Sequence, residues 1–237
     1  LKTVTGGYDG KGQFVLRSED QIDTAWAELG PAKSLIAESF VKFSREVSII
    51  AVRGQDGDVK TWALAENHHH NGILSHSIVP APNSTDLQPV AQDYITQLLN
   101  HLNYVGVLTL ELFVTEQGLY ANEMACRVHN SGHWSIEGAI CSQFENHIRA
   151  VAGLPLGATD VVRPTVMINI IGQHPKSEDV LALKGAHLHL YNKSERAGRK
   201  LGHITLMPNN SDELTVLCRQ LAQILPVPLA LTTDMNL

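Results

Sequence analysis

Cysteine is scarce in this chain of 237 residues: Cys126, Cys141 and Cys218 are an odd set with no Cys-x-x-Cys spacing. Neither a disulfide framework nor a structural zinc site is expected, and a reducing, cytoplasmic setting is the natural one. Long apolar runs are missing. No stretch approaches the ~18–20 residues of a membrane helix. The opening segment carries Lys2, Tyr8, Asp9 and Lys11 and has no apolar core, so neither a signal peptide nor a membrane partner is expected. Positive charge is not in excess. Eighteen Lys and Arg against 24 Asp and Glu leave −6, whereas a nucleic-acid partner favours a basic face. An initiating Met is also lacking: Leu1-Lys2-Thr3-Val4 reads as a strand already under way.

What is present suits a packed protein. Hydrophobic residues make up 43% and charged residues 18%, enough for a core of one large or two small domains. Histidine is abundant at 12 residues. The run His68-His69-His70 is not expected to bind metal, because consecutive strand residues point to opposite faces.

The periodicity alternates between elements. Apolar residues at helical spacing predict helices over 19–29, with Ser18 as N-cap, and over 86–102, 141–151, 178–183 and 212–225, the last behind Ser211. Strands are predicted over 13–16, 35–41, 46–53, 59–64, 72–79, 105–115, 119–125, 165–171, 186–191 and 203–207. Mixed helices and hairpins indicate an α+β fold rather than a doubly wound parallel sheet.

Four segments carry chemistry. Gly6-Gly7-Tyr8-Asp9-Gly10-Lys11-Gly12 is either a flexible surface hairpin or a phosphate cradle, with free backbone N–H groups and a mobile lysine charge. It lacks the Gly-Lys-Ser/Thr ending of a Walker loop. Glu111 and Glu123 lie on the two strands of a predicted hairpin. A three-residue loop centred on Gln117 sets them opposite each other, whereas a two-residue loop pairs Glu111 with Asn122. Opposed like charges weaken a sheet unless a cation sits between them, and Mg²⁺ favours such carboxylates together with substrate phosphates; a bare pair on an edge hairpin is the other reading. Arg127-Val128-His129-Asn130-Ser131-Gly132-His133-Trp134 is a polar run directly after a strand, suited to an anion or oxyanion. Lys193, Arg196, Arg199 and Lys200 form either a phosphate site or a solvated basic turn.

Together these segments resemble the ATP-grasp ligases, most closely the 5-(carboxyamino)imidazole ribonucleotide synthase family of purine biosynthesis. The resemblance rests on Leu-Lys-Thr-x-Thr-Gly-Gly-Tyr-Asp-Gly-Lys-Gly-Gln at 1–13, Arg-Val-His-Asn-Ser-Gly-His-Trp at 127–134 and Gly-Arg-Lys-Leu-Gly-His at 198–203. It implies an ATP-grasp fold with a lid at 1–64, a metal and substrate core at 65–155, and a small C-terminal α+β domain at 156–237. It implies ATP and Mg²⁺ as cofactors, bicarbonate and aminoimidazole ribonucleotide as substrates, and a homodimer. Lys2, Gly7, Tyr8, Asp9, Gly10, Lys11, Gly12 and Gln13 would hold the ATP phosphates. Glu38, Ser39, Phe40 and Val41 would form the adenine hinge, with Glu46 on the ribose and His69 facing the nucleotide. Glu111 and Glu123 would hold the metal, with Asn122 beside them. Tyr8, Asp9, Arg127, His129, Asn130, Ser131, Lys193, Arg199 and Lys200 would meet bicarbonate and the ribonucleotide, with Arg127 and His129 as the catalytic pair.

Two departures stand out. Cys126 occupies a position where the family usually has proline, and Phe40 one where glycine is common. Members of the family also carry an N-terminal α/β domain, so this chain is expected to be the C-terminal two-thirds of a longer polypeptide and to turn over weakly by itself. The alternatives are a formate- or biotin-using ATP-grasp ligase, or a non-catalytic nucleotide-binding module.

Overall fold

The computed structural model describes residues 1–4, 12–30 and 34–226, with only the backbone of Ser211. In chain order the elements are β1 (Lys2–Thr3), a 3₁₀ turn at Glu19–Gln21, α1 (Ile22–Leu29), β2 (Leu35–Ile36), β3 (Arg45–Arg53), β4 (Val59–Thr61), β5 (Ala65–His70) and β6 (Ile73–Val79). There follow α2 (Leu87–His101), β7 (Gly106–Thr115), β8 (Gly118–Ala125), a 3₁₀ turn at Asn130–Gly132, α3 (Ser135–Gly138) and α4 (Gln143–Val151). The chain continues through β9 (Thr165–Ile171), α5 (Ser177–Leu181), β10 (Ala186–Leu190), β11 (Lys200–Leu206) and α6 (Ser211–Ile224). Helices and strands mix as the α+β expectation requires.

β3 shows why one large sheet forms. Val47, Ile49 and Ala51 point to one face and meet Ala91, Ile95 and Leu99 of α2, an apolar stripe at four-residue spacing. Ile50 and Val52 point to the other face and pack with Trp62, Val107, Trp134, Ala150 and Met167. Strands buried on both faces cannot sit at an edge, and β3 accordingly pairs with β4, β5 and β7.

The sheet has nine strands, ordered β10-β11-β9-β6-β5-β3-β7-β8, with β4 attached to β3. The antiparallel pairing of β6 with β9 carries it across residue 156, so the strands of residues 165–206 extend the same sheet. On the α2 side of these strands, Ile168, Ile170, Ile204 and Leu206 pack under Leu214, Leu217 and Leu221 of α6. A separate two-stranded sheet joins β1 to β2.

Several elements differ from the periodicity. The strand expected over 13–16 is reduced to the bridge of Gln13 with Lys2, and the one expected over 35–41 ends at Ile36. The strand expected over 59–64 ends at Thr61, and the Trp62 indole N–H donates to the Cys141 carbonyl at 3.0 Å. Ser18 precedes the first 3₁₀ turn but makes no side-chain cap bond. Asn210, not Ser211, caps α6: its Oδ1 accepts from the Glu213 N–H at 2.9 Å, with φ at −159°. All three cysteines are free thiols. Among the described residues, no helix is long and apolar enough to cross a membrane.

Candidate active site

The face of the sheet opposite α2 changes character along its strands. On β3 the buried Ile50 and Val52 give way to Ser48 and Glu46. On β7, Val107 and Thr109 give way to Glu111. Alternation puts these side chains on one surface, so each strand runs from core into a polar cleft. Glu111 lies opposite Ser48 in the β3–β7 register.

The β7–β8 hairpin brings Glu111 directly opposite Glu123. The expected pairing therefore forms, but by a different route. Thr115 pairs with Gly118 across a two-residue turn, which by itself would align Glu111 with Asn122. A bulge between Glu111 and Leu112 leaves Asn122 as the extra residue and moves the register by one. Asn122, the extra residue, accepts a hydrogen bond from Lys2 Nζ through its Oδ1 at 3.3 Å.

The electrostatics of the pair bear on metal binding. Burial pushes Glu123 up, and the negative charge of Glu111 pushes it further. Burial also acts to raise Glu111, but the hydrogen bond from His129 and the positive charges around it, His69 and Lys200 included, hold it below its ordinary value. One carboxylate is thus held ionised beside a second whose ionisation it opposes. A divalent cation between them would remove that conflict, so this donor set fits Mg²⁺.

The nucleotide-side residues assemble in part. Lys2 Nζ lies 2.8 Å from Glu38 Oε2, so it ties the expected hinge to the β7–β8 hairpin. Glu38–Val41 form extended coil after β2, and Phe40 is 76% exposed, so its ring does not fill the cleft in this structure. The Thr3 N–H donates to the Gly12 carbonyl, Gly12 has φ +75°, and Gln13 bridges to Lys2. Gly7, Tyr8, Asp9, Gly10 and Lys11 lie outside the described residues. Glu46 Oε2 is 3.3 Å from His69 Nδ1. Burial opposes protonation of His69, yet the Glu46 bond and the Glu46 and Glu111 charges outweigh it, and His69 titrates above its usual range. Glu46, His69 and Glu111 have ligand atoms within 4.8 Å of one another. Glu111 is thus shared between the nucleotide side and the carboxylate pair.

The polar run after β8 lies on the same surface. His129 Nε2 is 3.0 Å from Glu111 Oε1. The Gln143 side chain clamps the His129 backbone, accepting from its N–H at 2.9 Å and donating to its carbonyl at 2.7 Å. Asn130 and Asn169 exchange reciprocal amide bonds at 2.9 and 2.7 Å, anchoring the loop to β9. The Arg127 side chain is exposed and donates to the Val128 carbonyl at 3.0 Å. The Tyr104 hydroxyl donates to the Cys126 carbonyl at 2.8 Å, an anchor that does not depend on proline at that position.

The basic segment approaches from β10 and β11. Lys193 Nζ lies 5.3 Å from the centroid of the Tyr191 ring, and Arg199 Nη1 donates to Ser194 Oγ at 3.0 Å. The charge of Lys200 acts on Glu111, His69 and His133 alike, which puts it electrostatically within the cleft. Sequence reasoning missed the ring cluster beneath this segment. His189 stacks on His203 at 4.4 Å, His133 lies 5.2 Å from His203, and the Tyr191 hydroxyl is 2.7 Å from His203 Nδ1. The signal was the high histidine count, with His189 and His203 directly paired across β10 and β11.

His133 and His203 of this cluster, with His76 on β6, where it stacks on His68, give a pH prediction. Burial pushes His203 and His76 down to about 3 and His133 down to about 4, from an ordinary 6.5. The folded chain keeps them neutral where the unfolded chain already takes up protons. Their contribution is therefore complete above the unfolded value and is lost as pH falls toward the folded values. Between about pH 7 and pH 6 the three together should cost roughly 2 kcal/mol. A lower urea midpoint at the lower pH is the expected result, and carboxylates change little there.

Residues 1–144 match the ATP-grasp domain family, and residues 165–216 match the phosphoribosylaminoimidazole carboxylase C-terminal domain. N5-carboxyaminoimidazole ribonucleotide synthase of Vibrio parahaemolyticus is 48% identical over 231 residues, covering 95% of this chain and 61% of that protein. The crystal structure of the Thermus thermophilus synthetase of that name superposes with a TM-score of 0.87 at 48% identity, covering 92% of this chain and 60% of that one. The Aspergillus clavatus synthase, in complex with ADP and 5-aminoimidazole ribonucleotide, gives a TM-score of 0.83 at 32% identity, covering 90% and 60%. This chain spans about 61% of the length of the Vibrio protein.

Proposed function

Because the chain belongs to the ATP-grasp family, we propose that the protein carboxylates 5-aminoimidazole ribonucleotide with bicarbonate at the expense of ATP. A bicarbonate oxygen attacks the γ-phosphorus and ADP leaves, giving carboxyphosphate. The exocyclic amine then takes the carboxyl group, directly or through released CO₂, with loss of phosphate and an amine proton. The product is N5-carboxyaminoimidazole ribonucleotide. The observation that carries this reading is the convergence on one cleft of Lys2, the Glu111–Glu123 pair and the His129 loop.

In this reading Lys2, with Gly7–Gln13, Glu38–Val41, Glu46 and His69, receives the nucleotide. Lys2 neutralises phosphate charge, which phosphoryl transfer needs more than covalent help. Glu111 and Glu123, with Asn122 beside them, would hold Mg²⁺, which would supply charge neutralisation at the transferring phosphoryl group. Arg127, permanently charged, steadies charge on the transferring group. Tyr8, Asp9, Asn130, Lys193, Arg199 and Lys200 contact bicarbonate and the ribonucleotide, with the basic residues on its phosphate monoester; Ser131, expected among them, instead has its hydroxyl buried between Ser48 and His129 and supports the loop from behind. The similarity to the Aspergillus synthase in complex with ADP and 5-aminoimidazole ribonucleotide supports this division. A cytoplasmic homodimer completes the reading, and light scattering in solution tests the dimer.

The test is ADP release by this chain and by a form extended to the length of its relatives. Release should require bicarbonate and rise with 5-aminoimidazole ribonucleotide, strongly in the longer form and weakly in this one. Turnover driven by formate or biotin instead would assign the site to another ATP-grasp ligase.

A further inference from the structure

Behind His129 runs a chain of buried hydrogen bonds that no substrate group needs to complete. His129 Nδ1 is 2.8 Å from Ser131 Oγ, and Ser131 Oγ is 2.8 Å from Ser48 Oγ. Asn67 Nδ2 donates to Ser48 Oγ at 2.9 Å, and Asn67 Oδ1 accepts from the Ser77 hydroxyl at 2.7 Å. Ser48, Ser77 and Ser131 are wholly buried, and Asn67 is 5% exposed.

The direction of this chain is fixed at both ends. The Ser131 backbone N–H can only donate, and it donates to His129 Nδ1 at 3.3 Å. At the far end, the Asn67 amide donates to Ser48. Ser48 then donates to Ser131, and Ser131 to Nδ1, which leaves no buried hydroxyl hydrogen without an acceptor. Nδ1 is therefore a lone pair, and the ring hydrogen sits on Nε2, 3.0 Å from Glu111 Oε1.

From this we infer that His129 is a positioning residue: its Nε2–H orients the Glu111 carboxylate, while Ser131, Ser48 and Asn67 hold the ring in that tautomer. The sequence suggests a proton-transferring histidine here, because an imidazole titrates near neutral pH. The geometry gives it another task. Both ring nitrogens are engaged by protein groups, so no lone pair is left to take a proton from the substrate amine. The arrangement is that of a carboxylate ligand fixed by an outer hydrogen bond, whose loss usually costs about 10–100-fold in metal affinity. The consequence for metal binding rests on Glu111 being the ligand proposed above; the tautomer does not.

Two measurements test this. Long-range ¹H–¹⁵N correlation spectra of the chain, with His129 assigned by difference against His129→Gln, should place the ring hydrogen on Nε2. A hydrogen on Nδ1 overturns the inference. The second compares His129→Gln with His129→Ala. The glutamine amide reproduces the Nε2–H donor but cannot carry a proton between groups. His129→Gln should keep Mn²⁺ affinity with ADP present, and turnover in the extended form, within about tenfold of the parent, while His129→Ala loses about 10–100-fold in metal affinity. If glutamine binds metal normally but turns over as poorly as alanine, proton transfer is the role and the inference fails. Metal affinity is read with ADP alone, so absence of bicarbonate-dependent turnover in the unsubstituted protein would refute the proposed function and leave the tautomer result standing.

Discussion

Glu111→Gln should lower Mg²⁺-dependent turnover of ATP by roughly a thousandfold, equivalent to about 4 kcal/mol of transition-state stabilisation. The side chain is nearly isosteric, and its amide oxygen still accepts from His129 Nε2, 3.0 Å away in the unsubstituted protein. The fold should therefore persist, with an unchanged urea midpoint. What disappears is one of the two opposed negative charges. With it goes the repulsion that raises Glu123 beyond the effect of burial, so Glu123 should titrate lower in the variant. Loss of metal binding together with an easier ionisation of Glu123 is a signature that general destabilisation does not produce. Mn²⁺ affinity with ADP present and the Glu123 carboxyl shift by NMR are the measurements. Wild-type metal affinity in both Glu111→Gln and Glu123→Gln would overturn the metal assignment.

The hairpin that carries this pair shows how far the sequence reaches. Its strands, its turn and the facing of Glu111 and Glu123 were legible. The bulge at Asn122 was not, because a register shift leaves no periodic trace when the strand beyond it is polar. The turn is the two-residue alternative, which by itself pairs Glu111 with Asn122, and the bulge supplies the one-residue shift that brings Glu123 opposite.

The buried chain behind His129 was hidden for a different reason. Ser48 alternates with Val47 and Ile49, while Asn67 and Ser77 have polar neighbours in Glu66, His68 and His76, so nothing in the local pattern marks the three as interior. Only the loop of residues 127–134 laid over them makes that face interior. That packing comes from contacts such as Ser131 to Ser48, distant in sequence. The same holds for the union of β6 with β9, which local propensity cannot reveal. The motif segments fared better, because they carry chemistry in residue identity rather than in register. Glu111 and His129 stood out by residue type and position, Lys2 and Asn122 through the family resemblance, and the structure pairs Lys2 with Asn122 and His129 with Glu111.

Gly202→Ala tests the other end of the cleft, through the backbone rather than a charge. Gly202 sits at the start of the regular β11–β9 register, just after the irregularity that follows Lys200. A Cβ at this position would come within 2.2 Å of the His189 carbonyl oxygen and 3.3 Å of Ile170 Cδ1. The first neighbour is backbone of a paired strand, so it cannot rotate aside. Relief requires β10 to move off β11, which would break the Leu190–Gly202 pairing and shift the His189–His203 stack. Overpacking of this kind costs about 3 kcal/mol or more, and in a chain of this size that lowers the melting temperature by roughly 6–12 °C. The damage should not be uniform. The α2 side, built on Val47, Ile49 and Leu99, lies several strands away and should keep its protection in hydrogen exchange. The amides of β10 and β11 should exchange faster, and Lys200 at the start of β11, with the basic segment that joins the two strands, should lose its alignment with the cleft. An unchanged melting temperature would overturn the steric conflict between this Cβ and the His189 carbonyl.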